Sequence, residues 1–230
     1  DVAVWPTDTW AAVYHMNDNP ADSTQILDST ANANTGTKAG STGTPTEVEG
    51  IVGRGQEFVA ANATRITCGS DSSLDNLPQI SVVALVNPTT LGQSSLGVIL
   101  SKAYTYTPSN GWVFRVRTGN QLVFSVDHPT ILYKRTTSDS ITLGSWQTAE
   151  AVWNGTTPAA NINLYRDSAL LGVSASQDGV GDRISDADST LIIGNVGFFN
   201  AAFDGVIDEL RISSVARSAE WIAAEDHWLR

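Results

Sequence analysis

Phe203-Asp204-Gly205-Val206-Ile207-Asp208-Glu209-Leu210-Arg211-Ile212, followed by Ser213-Ser214-Val215-Ala216-Arg217-Ser218-Ala219-Glu220-Trp221-Ile222, decides the fold. A glycine opens a run in which branched apolar residues alternate with charged ones, the period of a strand with one buried face. Counted at that period, Asp208 shares a side with Val206, Leu210 and Ile212 and points to the apolar side, whereas Glu209 and Arg211 point away. The run passes into a short amphipathic helix. Ser218 is its N-cap, and Glu220 lies in the first turn, where the helix dipole favours an anion. Trp221, Ile222, Trp228 and Leu229 make one apolar stripe that docks onto the strands.

Outward from this stretch the chain is a series of short β-rich runs at residues 79–86, 97–100, 112–117, 122–126, 149–153, 162–165 and 190–194. Turn-rich stretches separate them, the longest at 28–46 and 172–189. In 112–117 the alternation is clean: Trp112, Phe114 and Val116 face one way, Val113, Arg115 and Arg117 the other. Gly119-Asn120 then supplies a tight turn into the next run. The pattern predicts an all-β fold, an antiparallel β-sandwich with a short C-terminal α-helix, in a single domain over residues 1–230. The Asp-rich loop at 178–188 lacks the ladder spacing of an EF-hand and reads as solvated.

The net charge of −11, from 24 acidic and 13 basic residues, excludes a nucleic-acid binder, which needs a Lys/Arg-rich face. Lysine occurs only at Lys38, Lys102 and Lys134, and an Asp-rich, Lys-poor surface stays hydrated in a saline or divalent-rich exterior. No run approaches the ~20 apolar residues that insert across a bilayer. The N-terminal residues carry no signal-peptide pattern, and the chain reads as a domain of a longer protein. Cys68 is the single cysteine, which excludes an internal disulfide and reads as a small buried hydrophobe.

Several segments carry a family pattern in order. Val13-Tyr14-His15-Met16-Asn17-Asp18 is similar to an opening strand, and residues 28–37 to an Asp-Ser-Ser-Gly-Asn-Gly-Asn-x-Gly-Thr loop in which Ala31 and Ala33 replace glycines. Residues 50–58, Ser73-Leu74, Leu100-Ser101-Lys102, Trp146 with 149–155, and Ile192-Ile193-Gly194 continue it. Leu164-Tyr165-Arg166-Asp167 matches a Leu-Tyr-x-Asp-Gly hairpin, with Ser168 in place of glycine. Together these resemble the laminin-G-like (LamG) jelly rolls of the concanavalin A-like lectin/glucanase superfamily, as found in bacterial, archaeal and phage surface proteins. In such proteins these domains often follow another small β domain, and residues 4–10 resemble that junction.

The resemblance implies an extracellular or surface-exposed module, on a secreted protein, cell envelope or virion, that binds a polysaccharide or glycoconjugate. A surface protein or self-association is the alternative partner, in an adhesion role. It also implies a structural calcium held by an aspartate of the last strand and an early loop, here Asp208 with Asp28 and Asn34. Equally open is that Asp208 accepts backbone N–H bonds and Asp28 caps a turn. Aromatic residues in loops or at strand ends, where packing gives them little reason to be, form the expected ligand surface: Tyr104, Tyr106, Tyr133 and the Phe198-Phe199-Asn200 turn. The Glu-x-Asp-x-x-Glu arrangement of retaining hydrolases and the Gln-x-His of related lyases are absent, which points away from an enzyme.

Overall fold

The computed structural model describes residues 5–6, 9–105 and 110–229; Tyr106 and part of the 4–10 junction fall outside them. The chain begins with β1 (Trp10–Asn19), β2 (Asp22–Asp28) and β3 (Gly36–Ala39), then the hairpin β4 (Thr46–Glu49) and β5 (Arg54–Phe58). There follow β6 (Arg65–Thr67), β7 (Ile80–Pro88), β8 (Val98–Lys102), and the meander β9 (Trp112–Arg117), β10 (Gln121–Val126) and β11 (Leu132–Thr136). The last part comprises β12 (Gln147–Trp153), β13 (Ile162–Arg166), β14 (Ala169–Leu170), β15 (Val173–Gln177), β16 (Leu191–Ile193), β17 (Gly205–Ser213) and α1 (Ala219–Leu229).

Antiparallel pairing arranges these strands in two layers. The first runs β14-β13-β12-β7-β17, and the far edge of β17 is shared by β5 along its first half and β1 along its second. The second runs β3-β6-β16-β8-β9-β10-β11-β15. β2, bonded to both β1 and β3, carries the ladder from one layer to the other. This is the expected sandwich.

Between the layers lies one core, in which Trp112, Phe114 and Phe124 are fully buried, as the alternation in β9 requires. Phe124 packs against both neighbours, with ring centroids 6.1 and 6.3 Å away. Burying each such side chain stabilises the fold by about 1.5–3 kcal/mol. β7 and β12 are buried along both faces, so they read as continuous apolar runs rather than alternating ones. Their second face carries α1: Ile222 and Leu229, two turns apart, pack on Val83, Leu85, Val152 and Tyr165. Ser218 Oγ accepts the Trp221 N–H at 3.3 Å, as an N-cap does. The stripe is narrower than the sequence suggests. Trp221 is half-buried against Trp10 and Arg217, but Trp228, one residue and ~100° around the helix from Leu229, is 82% exposed.

The parity count along β17 needs correction. Glu209 takes a left-handed φ of +43°, and the register with β7 slips between Asp208 and Arg211, a bulge that turns the following residues over. Ile207, Leu210 and Ile212 therefore face the core. Asp208 sits opposite Leu85 and faces away from the core with it, covered by the turn between β4 and β5.

Candidate functional site

The outer face of the first layer is covered by α1 and the β4–β5 turn; that of the second is open. Strand register fixes a row across this second face: Thr67 on β6, Ile192 on β16, Ser101 on β8, Val113 on β9, Ser125 on β10 and Tyr133 on β11. One segment, residues 194–202, crosses the row as a ridge. Val196 and Ala201 anchor it on Val98, Ala103 and Val113, and Ser101 donates its hydroxyl to the Asn195 carbonyl at 2.8 Å. Asn195 Oδ1 accepts the Val196 and Ala201 N–H groups, closing the segment into a tight turn. Gly197 makes the close approach possible, since a Cβ there would lie 3.0 Å from Tyr104 Cα.

On the β6–β16 side of the ridge lies a cleft of about 600 Å³ whose lining includes Thr67, Tyr104, Asn110, Asp188, Ser189 and Phe199. Phe198 N donates to Tyr104 O at 2.7 Å, and the two rings meet edge to face at 5.8 Å. Phe199 is backed by the Arg65 guanidinium, 3.6 Å from the ring centre. Tyr104, Phe198 and Phe199 remain 55%, 58% and 40% exposed. Apolar rings left open beside hydroxyl, amide and carboxylate groups make a surface that can stack on a sugar ring and hydrogen-bond its hydroxyls.

The polar wall of this cleft is held by a charge network that the sequence does not announce. Lys102, fully buried at the end of β8, donates to Asp75 Oδ1 at 2.8 Å and to the carbonyls of Asp186 and Ser189 at 2.6 and 2.8 Å. Asp186, also fully buried, pairs with Arg183 at 2.5 Å and accepts the Asn76 N–H at 2.6 Å. The 178–188 loop, read as solvated, is thus stapled at Asp186, and Asp188 and Ser189 are presented to the cleft as a result. The one signal available in sequence was a lysine at a strand end in a chain nearly devoid of lysine.

The structure gathers Tyr104, Phe198 and Phe199 of the expected ligand surface, with Asn200 beside them on the ridge. Tyr133 lies across the ridge in a separate pocket, and Tyr106 falls outside the described residues.

For the expected metal ligands, Asp28 and Asn34 come together and Asp208 stands apart from them. Asp28 Oδ1 accepts the N–H groups of Val13 and Thr30, and Oδ2 accepts the Thr30 hydroxyl and the Asn34 N–H, all within 3.0 Å. Asn34 turns its amide to the Ala11 carbonyl and Ser73. Asp208 Oδ2 accepts the Ile51 and Val52 N–H groups at 2.9 Å. Calcium takes about six to eight oxygen ligands. Asp28 meets N–H and hydroxyl donors across its two oxygens, and Asp208 meets two N–H donors on Oδ2 while its buried Oδ1 has no partner among the described residues. N–H donors surround an anion rather than a cation, so this donor set does not fit a shared calcium site. Burial pushes the Asp208 carboxyl up to about 6, against the opposing pull of the Val52 and Ile51 N–H bonds. Its neighbour Glu209 is also buried, but His15 and Arg211, at 2.7 and 2.5 Å, outweigh burial and hold it below its usual value. Cys68 is buried as expected, its thiol pushed by burial up to about 12.

A two-layer antiparallel sandwich with an open, cleft-bearing sheet face defines a lectin-like binding fold. Residues 60–223 match the Laminin_G_3 model of the concanavalin A-like lectin/glucanases superfamily, and the chain belongs to that family. Among curated proteins none matches significantly. Among solved structures, the fold is similar to the binding domain of Paraclostridial Mosquitocidal Protein 1, at 14% identity and a TM-score of 0.70 over 96% of this chain and 52% of that one. It is similar to domain 4 of AbnA, an extracellular arabinanase from Geobacillus stearothermophilus in complex with arabinotriose, at 20% identity and a TM-score of 0.69 over 94% and 98% of the two chains. The binding domain of botulinum neurotoxin DC, in complex with rat synaptotagmin II, gives 11% identity and a TM-score of 0.66 over 97% and 52%. The chain therefore spans about half the length of the toxin binding domains it matches and nearly all of the arabinanase domain.

Proposed function

We propose that this chain is a non-catalytic, extracellular module that binds a polysaccharide or glycoconjugate in the cleft beside the ridge. The observation that carries the reading is a cluster of exposed aromatic rings: Tyr104 and Phe199 line one polar-walled cleft, and Phe198 packs edge to face on Tyr104 beside it. Exposed single apolar residues are ordinary, but a cluster of rigid rings beside polar groups is what sugar recognition uses. Family membership and the arabinotriose-bound relative support the ligand class, and the acidic, lysine-poor composition supports an exterior location.

A glycan array followed by titration calorimetry tests it. Tyr104→Ala should weaken binding of the best glycan about tenfold, the equivalent of ~1.4 kcal/mol of lost stacking, while leaving the melting temperature nearly unchanged. A protein-binding adhesion role is the second reading, favoured by Trp228, whose ring is 82% exposed at the end of α1. An array blank for every sugar class, with self-association on sizing that Trp228→Ala abolishes, would establish that reading in place of the first.

A further inference from the structure

On the other side of the ridge the same sheet face holds a smaller pocket, about 210 Å³, lined by Arg115, Arg117, Tyr133 and Arg135 over a floor that includes Val123 and Ser125. Register explains its shape. Val123 of β10 is paired with Arg115 on β9 and with Arg135 on β11, so the two arginines flank it at a Cα separation of ~10 Å. Arg117 lies two residues beyond Arg115 and projects from the same face. Short side chains on the middle strand thus stand between long cationic ones on its neighbours.

The chemistry of the lining is unusual for this chain. Among 230 residues with 13 basic side chains and a net charge of −11, three arginines converge here and no carboxylate lines the pocket among the described residues. Like charges gathered on one small pocket repel, and an oxyanion bound among them relieves that repulsion. Ser125 is 2% exposed and its hydroxyl has no partner among the described residues, and the buried Arg117 Nε likewise has none among them. A guanidinium presents its donors as a fork that matches two oxygens of a carboxylate or sulfate. Tyr133 adds an aromatic face beside them.

We propose that this pocket binds the oxyanion of an acidic sugar unit, a uronate carboxylate or a sulfate ester, and that the ligand is an acidic polysaccharide. The proposal rests on the glycan reading and narrows it. From Ile192 in the aromatic cleft to Ser125 in the arginine pocket the register counts three strand steps, ~14 Å, so one polymer passing over the ridge reaches both. Near physiological salt the Debye length is about 8 Å, so the bound oxyanion feels the arginines while the more distant acidic surface is screened.

Binding of polygalacturonate, dextran sulfate and neutral dextran to immobilised protein, in about 0.15 M salt and again at higher salt, tests this. The wild type should bind an acidic polymer in preference to dextran and lose affinity as salt rises. The double variant Arg117→Gln/Arg135→Gln should lose that binding about tenfold or more while its melting temperature holds or rises. Arg135→Lys, which keeps the charge and removes the fork, should lose less. Preference for polygalacturonate assigns a carboxylate ligand, and preference for dextran sulfate a sulfate ester. Equal binding of acidic and neutral glycans, weakened by Tyr104→Ala but untouched by the arginine variants, overturns the arginine site and leaves the cleft reading standing. Absence of binding to these polymers and to every sugar on an array removes the glycan reading, and this proposal with it.

Discussion

The two outer faces of the sandwich are built from similar strands and end in opposite states. On the first layer, α1 and the β4–β5 turn close over the sheet, and its charges are internally paired: Glu209 with His15 and Arg211, and Arg211 with Glu225. On the second layer a single ridge covers the middle strands, with exposed aromatic rings on one side and a pocket lined by half-buried arginines on the other. The contrast is the basis for placing the proposed recognition on the second face. A face whose charges are mostly paired within the chain serves stability, whereas one that leaves rigid rings and donors accessible has the features the proposed binding role uses.

Substitutions should separate the faces, the largest effect arising where stability and recognition meet. Lys102→Met removes the cation that buried Asp186 and half-buried Asp75 share, so chemical denaturation should register a loss of about 3–5 kcal/mol. Glycan affinity should fall too, because Ser189 loses its anchor. On the closed face, Ile222→Ala should cost about 2–4 kcal/mol of stability and leave affinity unchanged. Loss of glycan binding in that variant would contradict the division of labour.

Asp208 offers a pH test of the closed face. Its carboxyl is raised to about 6 in the folded chain, against ~3.9 when unfolded, so its stabilising contribution is complete below about pH 4 and is lost as pH rises through about 6. Asp208→Asn keeps an acceptor for the Ile51 and Val52 N–H groups without the charge. It should gain about 1 kcal/mol over wild type at pH 8, and the gain should disappear at pH 4. Adding EDTA should leave the melting temperature of both proteins unchanged. A lower melting temperature with chelator in the wild type alone would restore the calcium expectation.

The smallest effect belongs to the turn between β13 and β14, where Asp167 and Ser168 both hold left-handed φ, +54° and +60°. Ser168→Gly should add about 0.5–1 kcal/mol of stability, measured by denaturant midpoint, with no change in binding.

Much of the fold was legible because alternation is local: Trp112, Phe114 and Val116 reveal the core face of β9 without reference to any partner. The orientation of Asp208 was not, because one left-handed residue at Glu209 reverses the count and no glycine marks the place. The early loop shows the same limit, since Ala33 adopts φ +54° where the family pattern has glycine. The aromatic cleft was partly legible, as loop aromatics need a reason to be there. Its polar wall was hidden, since nothing in the acidic composition of 178–188 distinguishes the buried Asp186 from its neighbours. The arginine pocket was half visible: Arg115 and Arg117 share a strand face, but Arg135 joins them only through the pairing of β10 with both neighbours.

The central position of β17 also governs how the molecule can be made. Residues 205–213 separate β7 from β1 and β5, so until they leave the ribosome those strands present unsatisfied edges. Contacts this distant in sequence raise the loop-closure entropy that folding must overcome, which makes pairing of β17 a slow step in the folding of this domain. A nascent chain stalled before Gly205 would leave these edges free to pair with other chains until the missing rung arrives.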